Sequence, residues 1–123
     1  AQQQIVEILR ADPATTKENL ASAYNTLSWY SLFVRDFTGA LAAAEAGRKL
    51  DAANLYLETN RAHALLFLGR LPEAEAVYRS HLGQKLSPTM TWEQAILQDF
   101  EDLEKFSVSS PDEARIKKMM GAG

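Results

Sequence analysis

Two histidines, His63 and His81, and sixteen carboxylates are the groups in this chain that could hold a metal ion or move a proton. A metal centre needs several His, Cys or carboxylate ligands converging on one point. The histidines fall on different predicted helices, and no cysteine is present, so thiolate sites and disulfides are excluded. The acids gather as Glu73-x-Glu75 and Glu101-Asp102-x-Glu104, runs that read as solvated helix faces, with Glu101 and Lys105 as an i, i+4 pair. Many serines fall at predicted caps, and none is marked as a nucleophile beside a His and an Asp. The six glycines are scattered rather than gathered into a phosphate-cradling loop. The expectation is a chain that is not an enzyme, with no catalytic residue, no cofactor and no metal.

Bulk properties narrow the partners. The 123 residues, 46% apolar and 24% charged, suffice for one domain with a core. Net charge is −3 with both signs mixed, and no Lys/Arg cluster suits nucleic acid or an anionic membrane surface. No apolar run approaches the roughly 20 residues of a membrane span. The lack of cysteine fits a reducing compartment and is equally allowed elsewhere. No signal peptide is visible. The start at Ala1 reads as a processed chain or a fragment.

The elements that must position any site are helices. Residues 1–14 read as a lead-in or short helix, with Ile5, Val6, Ile8 and Leu9 in helical spacing before Asp12-Pro13. Thr15-x-x-Glu18 reads as a capping box opening a helix to about Arg35. A second, Ala-rich helix is predicted from Phe37 to Leu50, and a third from Leu55 to Leu68 with Gly69 as its stop. A fourth carries Pro72 in its first turn and ends near Leu82-Gly83. After a loop from Gln84 to Thr89, Thr91-x-x-Gln94 caps a fifth helix to about Phe106. Ser110-Pro111-Asp112-Glu113 opens a short sixth, and the Gly-Ala-Gly tail frays. No alternating strand pattern is present. The fold class is all-α, with antiparallel helix hairpins stacked in series.

Leu32, Phe33, Ala40 and Ala42 recur as identical residues 34 positions later, and Ser28 recurs as Ala62. That period is the signature of stacked helix-turn-helix units. On these residues the middle of the chain resembles a tetratricopeptide repeat (TPR) array. Tyr24, Leu27, Ser28 and Ala40 match in the first unit, and Ala62, Leu65, Gly69, Ala74 and Tyr78 in the second. Leu68 to Tyr78 is the strongest stretch. Ser31, Glu58 and Arg61 depart from the pattern, and the closing proline is Ala52 in one unit and displaced to Pro88 in the other. Residues 15–88 would form two TPR-like hairpins. Residues 89–123 would form a divergent capping hairpin with a frayed tail, all in one short α-solenoid domain.

The resemblance implies a non-catalytic protein-interaction module. First helices of successive units would line a concave groove holding a peptide or partner helix. By position the lining residues are Ser22, Asn25, Trp29 and Phe33, then Tyr56, Thr59, Asn60 and His63. Asn25, Thr59 and Asn60 would bond a peptide backbone, and the aromatics would take apolar anchors. No Lys or Arg stands on these positions, so the carboxylate clamp of some TPR domains is not expected. Phe33 and Phe67 are alternatively packing residues between units, and Tyr24 and Tyr78 are core. The second reading is a structural or self-association segment of a larger protein, with the groove filled by its own amino-terminal helix. A homo-oligomer fits either reading.

Overall fold

A single helical hairpin leaves one apolar face uncovered, and hairpins packed in series cover one another. That is the architecture of the computed structural model, which describes residues 10–11 and 16–121. Six helices are formed among these residues: α1 (Lys17–Phe33), α2 (Phe37–Leu50), α3 (Leu55–Phe67), α4 (Leu71–Ser80), α5 (Trp92–Glu104) and α6 (Glu113–Met119). The fold is all-α in its packing, with adjacent helices against each other in a repeat-like stack. The amino-terminal lead-in lies outside the described residues except for Arg10 and Ala11. The Arg10 guanidinium sits 5.6 Å from the centre of the Tyr24 ring.

The helix starts follow cap chemistry. Thr15 lies outside the described residues. Thr16 takes the cap of α1, its hydroxyl accepting the Asn19 amide at 3.1 Å. Asp36 caps α2 through Gly39 N–H, and Asn54 caps α3 through Tyr56 N–H. The reciprocal capping box of Thr91 and Gln94 forms as expected at α5. Pro111 stands in a turn ahead of α6 rather than at its first helical position. There Ser110 N–H donates to the Glu113 carboxylate at 2.6 Å, and Asp112 N–H to the Ser110 hydroxyl.

Three helix ends share one hydrogen-bond pattern. α1 closes with Arg35 N–H bonding Leu32 C=O and Asp36 N–H bonding Ser31 C=O. The same pair of bonds closes α3, from Gly69 to Leu66 and from Arg70 to Leu65. It closes α5 too, from Ser107 to Glu104 and from Val108 to Leu103. This two-bond terminus needs one left-handed residue. Gly69 adopts it freely at φ +80°, whereas the exposed Arg35 (+62°) and Ser107 (+61°) take it despite their side chains. α1, α3 and α5 thus end alike.

One expectation fails between the units. The segment after α4 is a small antiparallel hairpin, β1 (Lys85–Ser87) and β2 (Met90–Thr91), with Pro88 and Thr89 in its turn. Strands of three and two residues are too short to show alternation in sequence. Their pairing runs into α5, where Trp92 N–H donates to Gln84 C=O at 2.8 Å.

Small residues set the helix spacing. The buried Ser28 hydroxyl donates to Ala40 C=O at 2.7 Å and pins α1 to α2. A Cβ at Gly47 would meet Leu57 at 2.6 Å and Tyr24 at 3.1 Å, so the missing side chain lets α2 approach both neighbours. The main core runs from Leu32 through Leu66, Tyr78, Trp92 and Phe100 to Ile116. At its far end the buried Glu113 carboxyl is pushed up to about 7, chiefly by burial and then by the neighbouring Glu104. Glu104 itself is held below its ordinary value by Lys117, 2.7 Å away.

Two outcomes follow for stability. Ser107→Gly relieves a left-handed side chain while keeping the backbone bonds, and should stabilise the fold by about 0.5–1 kcal/mol in urea unfolding. A loss of stability would show that Ser107 is not strained. The folded chain holds a proton on Glu113 that the unfolded chain releases near 4.5. Stability therefore falls as pH rises from about 4.5 to about 7. Unfolding measured across that window should show the slope, and Glu113→Gln should flatten it.

Candidate functional site

A cavity of about 380 Å³ opens where α1, α3 and α5 converge. α1 contributes Asn25 and Trp29, one turn apart, and their neighbours Thr26 and Tyr30. α3 adds Tyr56, Thr59 and Asn60, and α5 adds Asp99. Tyr30 and Tyr56 are the open walls, 52% and 42% exposed. Trp29 is half-buried between them and the aromatic packing beneath.

The floor is polar and already partly committed. Asn60 is buried, and its amide donates to the Asn25 side-chain oxygen at 2.7 Å, tying α3 to α1. The buried Thr59 hydroxyl donates to Tyr56 C=O of its own helix at 2.7 Å. The expectation that Thr59 and Asn60 bond a peptide backbone through these donors is therefore not met. The Asn25 amide hydrogens make no bond among the described residues, so they are donors left at this floor.

The structure brings together Asn25, Trp29, Tyr56, Thr59 and Asn60 of the residues expected to line the groove. Ser22 is exposed one turn away, where only its carbonyl is used, accepting the Thr26 hydroxyl. Phe33 is a packing residue: its ring stands edge-on to Trp29 at 4.9 Å and to Phe106 at 5.1 Å. His63 has no accessible surface. It lies beneath the cavity because α5 packs over it, and Phe100 approaches its ring to 5.2 Å.

His63 nevertheless shapes the site. Tyr78 is fully buried, and burial, then the negative charges of Asp99 and Glu113, push its phenol well above its ordinary value. The phenol thus keeps its proton, and in the neutral His63 ring Nδ1 accepts that hydrogen at 2.6 Å. His63 Nε2 then carries the hydrogen given to Asp99 Oδ2 at 2.9 Å. This Tyr78–His63–Asp99 chain joins α4, α3 and α5 and fixes the carboxylate at the cavity wall. Its hydroxyl end is sealed in the core, where no substrate reaches it. Asp99, Thr26 and Tyr30 escaped the sequence reading. Thr26 and Tyr30 lie four apart, as Asn25 and Trp29 do, and form the neighbouring stripe of the same helix. Asp99 carried no such signal, because its place depends on how α5 packs.

A second polar cluster explains two departures from the repeat pattern. Glu58 is buried and meets Arg48 of α2, Arg61 of its own helix and, at 3.6 Å, His81 after α4. Here an ion-paired network stands where an apolar contact is usual.

No family model, curated protein or solved structure matches the chain. Among the described residues no group of three His, Asp or Glu is placed to hold a metal ion, and no helix is long and apolar enough to cross a membrane.

Tyr78→Phe should strand the His63 Nδ1 acceptor in the core and cost about 1–3 kcal/mol. The matching change His63→Phe in a Tyr78→Phe background should cost less than the sum of the single changes, as a double-mutant cycle would read. Additive costs would show that the two side chains do not act as one unit.

Proposed function

We propose that this chain is a TPR-like, non-catalytic protein-interaction module that holds a peptide or partner helix in the cavity between its first helices. The supporting observation is the cavity itself. Three helices with the same terminus converge on it and present Trp29, Tyr30 and Tyr56 around Asn25. Trp and Tyr offer large contact area for few lost rotamers, and exposed rings gathered at a concavity suit a binding hot spot. Binding is reversible docking: the rings take a side-chain anchor, and the Asn25 amide donates to the bound backbone. Nothing is made or broken. A scaffold role in a larger assembly fits this chemistry. The competing reading is self-association, or a groove filled by the chain's own amino-terminal residues.

A photo-crosslinking phenylalanine analogue in place of the exposed Tyr30 tests this directly. Crosslinks to a foreign polypeptide that vanish in Tyr56→Ala, with thermal stability kept within about 1 kcal/mol, are the expected result. Crosslinks confined to residues 1–15 or to a second copy would replace the docking reading with the structural one.

A further inference from the structure

We propose that the cavity recognises a cationic side chain, the guanidinium or ammonium of an Arg or Lys in a partner polypeptide. This rests on the docking reading and specifies the chemistry of its anchor. Asp99 stands at the cavity wall with its side chain 22% exposed. Its Oδ2 is occupied by His63, and Oδ1 makes no hydrogen bond among the described residues. No Lys or Arg lines the cavity. Nor can the residues outside the described set supply one: 1–9, 12–15 and 122–123 contain no Lys, Arg or His. Arg10 is placed over Tyr24, on the α1–α2 side.

The remaining walls suit the same ligand. The faces of Trp and Tyr attract a cation, most strongly where water is partly excluded. Trp29, Tyr30 and Tyr56 surround one cavity with one carboxylate, an arrangement that would repel an acidic anchor and leave Asp99 unpaired under an apolar one. A volume of about 380 Å³ exceeds one side-chain head, so the aliphatic stem of Arg or Lys can lie along the rings as well. The chain's own net charge of −3 favours approach of a basic segment.

The test titrates short blocked Gly-rich peptides, each with one central Arg, Lys, norleucine or Glu, into the full chain. The readout is the Trp29 indole N–H resonance in NMR. Trp92 is the internal control, because it is buried with its indole N–H bonded to Tyr78 C=O at 2.9 Å. The Arg and Lys peptides should shift Trp29 saturably and bind about tenfold or more tighter than norleucine, with affinity falling as salt rises. Asp99→Asn keeps an acceptor for His63 and removes the charge. It should weaken the Arg peptide about tenfold while leaving the Trp92 indole resonance in place, which shows that the fold persists. Tyr56→Ala, at an exposed wall, should weaken it also.

Equal binding of norleucine or Glu peptides would overturn the cation assignment and leave the docking reading standing. An Asp99→Asn variant that binds the Arg peptide as tightly as the parent would do the same. If no peptide moves Trp29, the cation assignment falls. If the Tyr30 crosslinker also captures no foreign chain, the docking reading falls with it.

Discussion

The burial of His63 is the constraint from which the site follows. A polar ring placed in a core costs several kcal/mol unless each nitrogen finds a partner. Here Tyr78 serves one nitrogen and Asp99 the other, and the partners come from helices on either side. The pairing therefore decides more than the fate of one side chain. It fixes the distance between α3 and α5 and aims a carboxylate at the cavity. An apolar residue at 63 would pack without partners, but would not dictate where α5 sits. Polar networks of this kind are stable only when every member is satisfied, which makes the arrangement specific.

Arg35 adds a second tie on the other side of the cavity. Held in a left-handed conformation, it donates from its guanidinium to Ser107 C=O at 2.8 Å, joining the end of α1 to the end of α5. Phe33 and Phe106 meet edge-on, 5.1 Å apart. Both residues form the left-handed corner of a helix end, as Gly69 does between them. The shared helix ending thus supplies both the left-handed corners and the bond that links them. The first helices are drawn round α3, and what would be an open face becomes a bounded cavity.

Much of this was legible in sequence. The 34-residue offset fixed the first two hairpins, and cap chemistry placed the start of α5 at its observed residue. Helix ends were less legible. Gly69 announces a left-handed terminus, but Arg35 and Ser107 carry no such mark, so α1 and α5 stop before the predicted ends. Residues 89–123 were read as a divergent capping hairpin because their residues fit the repeat pattern poorly. In the site, Asn25, Trp29 and Tyr56 were named because the TPR resemblance implies those positions for a groove. The burial of His63 and the arrival of Asp99 were not, because both depend on the crossing of α5, which no local pattern encodes.

The Glu58 cluster shows why a departure from a repeat pattern need not weaken the fold. A buried carboxylate is costly alone, yet Arg48, Arg61 and His81 bring donors from three parts of the chain, and the arginines keep contact with water. Such a network contributes little net stability compared with a well-packed apolar group. Its effect is on choice of partner helix: α3 must sit beside the end of α2 and the turn after α4 to be neutralised. On the opposite side of α3, Asn60 makes the same kind of demand through Asn25. α3 is thus fixed on both flanks by polar contacts rather than by apolar fit alone. The cavity it lines is held by directional bonds, and its aromatic walls are left free to meet a ligand.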